Sequence, residues 1–225
     1  MMGKDKLKRF SEIKSFKNVL QPSVKNYISS IDLKGNWGNI FNNSHPIIIE
    51  LGCGKGEYSV ELAKIHSNYN FIGVDVKGAR MWKGAKTCIE DNILNVRFLR
   101  TTIDYIDLFF NKNEVAEIWL TFSDPQPKKP RKRLTSPLFI DRYRKFLKKD
   151  GIIHLKTDSN LLYEYTLEQI KVNNYQLIEK SNDVYFDLIL RTNPSLARAM
   201  AIKTFYETKW LKEGKKIKYL CFSID

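Results

Sequence analysis

From residue 46 onward the chain alternates short apolar runs with longer stretches in which apolar residues recur every three or four positions. The first pattern suits buried strands and the second amphipathic helices, so the succession predicts an α/β fold of βα units around a mostly parallel central sheet, with helices on both faces. About seven strands are expected, over 47–51, 70–76, 96–99, 117–122, 151–157, 175–180 and 217–222. Helices are expected at 58–66, 78–91, 105–110, 137–148, 160–173 and 199–212. Residues 1–44 do not share the pattern. Lys4, Lys6, Lys8, Arg9, Lys14 and Lys17 stand among scattered apolar residues ahead of the turn-forming Gly35-Asn36-Trp37-Gly38. A basic N-terminal extension over 1–44 is therefore expected, joined to a single domain over 45–225; it is either an RNA-contacting arm or a solvated tail.

Charge sharpens this picture. The 225 residues carry a formal net charge of +13, which draws polyanions through counterion release and makes nucleic acid the natural partner. The alternative is a general lysine bias, seen also in the many Asn and Ile residues. Cys53, Cys88 and Cys221 lie far apart, without CxxC spacing or a histidine cluster, so no metal site is expected and reduced thiols are. The basic start MMGKDKLKRF leads into no apolar stretch of signal-peptide length, and nowhere do eighteen apolar residues run together. A cytoplasmic protein is expected, with monomer and homodimer both open.

The end of the first apolar run reads Glu50-Leu51-Gly52-Cys53-Gly54-Lys55-Gly56. Glycines here permit positive φ and let backbone approach a ligand closely. A dinucleotide fingerprint would place its third glycine one residue later, where Glu57 stands, so a pyrophosphate loop is disfavoured. Asp75 ends the second strand a little over twenty residues on, where an acid can accept both ribose hydroxyls of an adenosine-type ligand. The fourth strand then runs into Phe122-Ser123-Asp124-Pro125-Gln126-Pro127, followed by five basic side chains in six positions: Lys128, Lys129, Arg131, Lys132 and Arg133. A loop this long is uncommon in a compact domain unless it is functional, and after a strand it should overhang the ligand crevice. Asp124 can meet a base while Lys129, Arg131, Lys132 and Arg133 meet phosphates; a solvated charged face is the plainer alternative.

The ExGxGxG segment resembles motif I of class I methyltransferases, and FSDPQPKK is similar to the FPDPWPKK segment of the bacterial tRNA (guanine-N7-)-methyltransferases. Thr157-Asp158 resembles that family's TD pair, and Thr204-Phe205-Tyr206-Glu207 its TxYE-type segment, so ordered matches span about 46–223. The resemblance implies a Rossmann-like class I methyltransferase fold and transfer of a methyl group from S-adenosylmethionine to N7 of the variable-loop guanine, position 46, of tRNA. It implies that Glu50, Gly52, Gly54, Gly56 and Asp75 bind the cofactor and that Asp124 lies at the catalytic centre beside it. Lys128, Asp158, Thr204, Phe205, Tyr206 and Glu207 are implied to hold the target nucleotide. Gln126 replaces a frequent tryptophan, the basic stretch is short and lacks a histidine, and Thr102 stands where a further cofactor-contacting acid is expected, with Asp104 two residues on.

Three rival readings fit the residues less well. An amino methyltransferase of the DPPY type needs an aromatic where Pro127 and Lys128 stand. A binding-only RNA protein on the same scaffold has no reason to retain Glu50, the glycines, Asp75 and Asp124 together. A nicotinamide-dependent oxidoreductase lacks the spacing of its third glycine and a credible proton donor. His154 is expected to be a core or hydrogen-bonded residue, and Trp82, Trp119 and Trp210 packing residues.

Overall fold

The computed structural model describes residues 2–22 and 33–225. Its first strand of the βα series, β2 (Ile47–Leu51), is buried at every position. Ile47, Ile49 and Leu51 enter one apolar cluster while Ile48 enters another, because successive strand side chains point to opposite faces. The sheet is thus sandwiched between two cores. Eight strands among the described residues form it: β1 (Val19–Leu20), β2, β3 (Asn70–Asp75), β4 (Val96–Arg100), β5 (Val115–Thr121), β6 (Leu147–Thr157), β7 (Gln176–Ser181) and β8 (Lys218–Ser223). Their order is β1-β4-β3-β2-β5-β6-β8-β7. All neighbours from β1 to β6 pair parallel, and β8 runs antiparallel to both β6 and β7.

The expected α/β architecture is present, with one strand more than the seven read from the pattern. The extra strand lies in the expected 1–44 extension. Val19 and Leu20 pair with Phe98 and Leu99, and two short helices, α1 (Met2–Glu12) and α2 (Trp37–Phe41), flank the strand in sequence. Trp37 is fully buried, donates from Nε1 to the Phe109 carbonyl at 2.9 Å and stacks on Phe110. Much of the extension therefore belongs to the fold, since an indole buried to this extent is a core contact rather than a tail. Met1 and residues 23–32 of that extension lie outside the described residues.

The remaining helices are α3 (Glu57–Ile65), α4 (Gly78–Glu90), α5 (Pro137–Tyr143), α6 (Asn160–Val172), α7 (Pro194–Ala201) and α8 (Phe205–Lys212). Three expectations need correction. The helix expected over 137–148 stops at Tyr143 because Leu147 already pairs with Val115 in the sheet. The one expected over 105–110 is a 3-10 turn, Ile103–Leu108. The one expected over 199–212 is two helices: Asn193 caps α7 ahead of Pro194, Ile202 leaves helical geometry, and Thr204 and Glu207 form a reciprocal capping box that starts α8. A further helical stretch at 184–191 had no sequence expectation.

Chain connectivity reverses at β2: β3 and β4 extend the sheet to one side, and β5 and β6 to the other. A crevice opens outside the carboxyl ends of strands at such a switch point. Leu51, Asp75, Thr121 and Thr157 end the strands that border it.

Candidate functional site

Gly52, Gly54 and Gly56 all have positive φ, at 85°, 57° and 73°. They serve two purposes. A Cβ at Gly52 or Gly54 would meet nothing within 4 Å, so these residues leave open space over the loop. A Cβ at Gly56 would lie 2.5 Å from the Phe98 ring, so this glycine allows close packing beneath it. Glycine is the residue that adopts positive φ without a Cβ penalty. The loop is fixed by its own amides: Gly52 N and Cys53 N both donate to the Val74 carbonyl, and Gly54 N donates to Asp75 Oδ2 at 2.9 Å. Asp75 Oδ1 accepts from Lys77 N at 2.7 Å. A carboxylate has about four acceptor positions, so Asp75 retains capacity toward the crevice.

Glu50 lies beneath this loop with 4% exposure. Its Oε2 accepts from Ser59 N at 3.0 Å and from the Ser59 hydroxyl, and its Oε1 accepts from the Thr121 hydroxyl. One acid thereby ties β2, the start of α3 and the end of β5. Burial raises its pKa to about 7 even though these hydrogen bonds favour the charged form.

Across the crevice, β5 runs into the loop carrying Asp124, which is exposed and accepts from Gln126 N through Oδ1 at 2.9 Å. Phe122 and Gln126, two residues before and after it, have φ of 52° and 45°. Non-glycine residues in this region are strained, and such strain clusters at functional sites. Ser123 Oγ beside Asp124 is buried and has no hydrogen-bond partner within the described chain.

Two adjoining cavities share Gly52. One, of about 350 Å³, is bordered by Glu50, Gly54, Thr204, Tyr206, Phe122 and Trp210. The other, of about 410 Å³, is bordered by Asp75, Thr102, Asp104, Gln126, Lys129 and Lys132. The fold therefore gathers Glu50, Gly52, Gly54, Asp75, Thr102, Thr204 and Tyr206 from four separate segments. Gly56 is packed below, and Asp158 is half-buried with Lys215 at 3.8 Å. Phe205 is exposed, and Lys55 of the glycine loop sits 4.2 Å over its ring.

Two sequence assignments change. Arg133 was placed among the phosphate contacts, but it is only 4% exposed; its Nε donates to the Pro125 carbonyl and its guanidinium lies 4.3 Å over the Tyr165 ring. Buried guanidinium groups satisfy their donors internally, so Arg133 holds the loop from within. Lys128, Lys129, Arg131 and Lys132 remain exposed, with Lys132 3.1 Å from Asp104. Glu207 was expected to touch the nucleotide, yet it is fully buried, 2.8 Å from Lys156 and accepting from the Tyr185 hydroxyl. It caps α8 from behind the cavity wall.

Sequence reasoning missed Lys55, Arg80, Phe122 and Trp210 as cavity residues. Trp210, read as packing, does pack, against Phe122 and Tyr206, and in doing so forms cavity wall. Its position four residues beyond Tyr206 on one helix face was the available signal. His154 is buried, as expected, stacked on Trp119, with Nδ1 2.6 Å from the Tyr219 hydroxyl and Nε2 3.2 Å from Glu117. Burial opposes its protonation, but Cys221 and Glu117 outweigh that and hold its pKa up at about 9.

Over 100% of both chains the protein is 46% identical to the tRNA (guanine-N(7)-)-methyltransferase of Christiangramia forsetii. The chain belongs to the tRNA (guanine-N7-)-methyltransferase family. It is 47% identical to the enzyme of the same name from Bacteroides thetaiotaomicron, with 99% of this chain and 87% of that one covered. A family model described as "Putative methyltransferase" matches residues 44–220. Among solved structures, the 16S rRNA (adenine(1408)-N(1))-methyltransferase from Catenulisporales acidiphilia is similar at a TM-score of 0.59 and 13% identity, covering 84% of this chain and 92% of that one. That likeness establishes the class I methyltransferase fold expected from the sequence. No helix among the described residues is long and apolar enough to cross a membrane.

Proposed function

We propose that this member of the tRNA (guanine-N7-)-methyltransferase family transfers a methyl group from S-adenosylmethionine to N7 of the guanine at position 46 in the variable loop of tRNA. The observation that carries the reading is the placement of Asp124. It stands three residues beyond β5, between strained Phe122, which borders one cavity, and strained Gln126, which borders the other, at the head of an exposed basic segment.

The cavities suit an adenosine ligand with an amino-acid tail. Open space above Gly52 and Gly54, with Asp75 and Thr102 on one side and Glu50 beneath, gives such a ligand backbone contact and acceptors. When bound, S-adenosylmethionine supplies an electrophilic sulfonium methyl.

Guanine N7 presents an in-plane lone pair, so the chain needs no general base. The new C–N7 bond forms as the C–S bond breaks, and no proton moves. The protein's task is to align the ring, and orientation of this kind lowers a barrier by as much as about 7 to 11 kcal/mol. Asp124 accepts from guanine N1–H and N2–H and stabilises the positive charge that develops on the ring. Thr204, Phe205, Tyr206 and Asp158 flank the base. Lys128, Lys129, Arg131 and Lys132 hold RNA phosphates, an interaction that weakens with salt.

The test is transfer of labelled methyl from S-adenosylmethionine to unmodified tRNA, followed by digestion to nucleosides. The expected product is 7-methylguanosine, lost when the variable-loop guanine is replaced. Label in another nucleoside would overturn the reading. Asp124→Asn should lose about 2 to 4 kcal/mol of transition-state stabilisation while still binding tRNA; an unchanged rate would remove Asp124 from its role.

A further inference from the structure

Lys156 is a lysine with no exposed surface, placed near the carboxyl end of β6. A buried ammonium is costly unless every donor is satisfied. Here its three donors meet three acceptors: the Met200 carbonyl at 2.9 Å, the Ile202 carbonyl at 2.9 Å and Glu207 Oε1 at 2.8 Å. The two carbonyls lie at the end of α7, where helical partners run out. Glu207 is the third residue of α8, and its other oxygen accepts from Thr204 N. One side chain thus joins the end of one helix to the start of the next and fixes the turn between them, out of which Thr204 and Tyr206 enter the cavity wall.

The main chain of the same residue acts on the adjoining part of that wall. The Lys156 carbonyl accepts from Phe122 N at 2.8 Å, and Phe122 is the strained residue two positions before Asp124. The aromatic rings of Tyr58, Phe122 and Tyr185 surround the ammonium within 6 Å, leaving it no route to solvent or ligand.

We infer that Lys156 is a positioning residue for methyl transfer, setting the separation between the Asp124 loop and the Thr204–Tyr206 wall without touching substrate or cofactor. The inference rests on the reading of these two segments as the seat of the target base.

The decisive variant is the double substitution Lys156→Met with Glu207→Gln, which removes both buried charges together and leaves no orphaned carboxylate. It is compared with wild type for thermal midpoint, hydrogen exchange across residues 199–207, S-adenosylmethionine affinity by calorimetry, and kcat and KM for tRNA. The expected result is a folded protein with faster exchange confined to 199–207, near-normal cofactor affinity and kcat reduced about a hundredfold, the scale of a small misplacement of reacting groups. Wild-type kcat with unchanged exchange would show that Lys156 only balances the charge of Glu207, and the inference falls. A double variant that cannot fold assigns Lys156 to the fold and also overturns it. Exchange needs no substrate: if it changes as expected but wild-type protein transfers no methyl to tRNA guanine, the functional reading fails, and Lys156 positions these segments for some other chemistry.

Discussion

The two loops that face each other across the crevice reach positive φ by different means. The β2–α3 loop uses three glycines, and its amides donate to Val74 and Asp75 at the end of β3. The β5–α5 loop puts Phe122 and Gln126 into the same region without glycine, and is held there by the Lys156 carbonyl of β6 and by its own Arg133 through the Pro125 carbonyl. Glycine adopts that region without strain, so the first loop needs its partners only to place it. A strained loop is only as well placed as its supports, and this one carries Asp124.

The largest effect is expected at Gly56. Gly56→Ala combines positive φ with a Cβ 2.5 Å from Phe98, and is expected to cost about 3 kcal/mol or more, because overpacking adds to the left-handed penalty. Gly54→Ala, with open space above it, should cost only the conformational part, about 1 to 2 kcal/mol. Equal losses in chemical denaturation would show that packing under the loop is irrelevant.

Glu50 gives the next effect. Its folded pKa of about 7 stands above the ordinary 4.5. The native state therefore binds the extra proton between these values, so this contribution is complete below pH 4.5 and is lost as pH rises through 7. It amounts to about 3 kcal/mol. Glu50→Gln should flatten the fall in stability between pH 4.5 and 7, and a wild-type slope retained in the variant would remove Glu50 as its source.

Arg133→Met should lose about 2 kcal/mol of stability by removing a buried hydrogen bond and a stacking contact, and methyl transfer should fall more than tRNA affinity does. Arg131→Ala should behave oppositely, with stability retained and the salt dependence of tRNA binding reduced by about one unit of slope. Matching behaviour of the two would erase the distinction between inner and outer basic residues. Smallest of all, Gln126→Gly should relieve left-handed strain and stabilise the fold by no more than about 1 kcal/mol, with slower transfer as the loop gains freedom. A loss of stability there would mean that the Gln126 side chain holds the loop.

How much was legible follows the same division. The ExGxGxG loop, Asp75 and Asp124 were readable because glycine and strand-end acids have local consequences that spacing reveals. The start of α8 was written too, since Thr204 and Glu207 stand at capping-box spacing; read as a nucleotide contact, that signal hid the helix break. Arg133 shows the opposite limit. Nothing local separates it from Arg131, and only the approach of Tyr165 and Pro125 turns it inward.

By itself the sequence determined the alternation of buried strands and helices, the glycine loop, the acids at strand ends and the cationic excess, all properties of neighbours in the chain. Tertiary structure decided which cations remain outside, that Val19 and Trp37 of the basic extension belong to the core, and that Glu207 faces Lys156 rather than the cavity. The physical reason is that burial of a charge depends on partners tens of residues away, and the fold alone brings them within hydrogen-bonding distance.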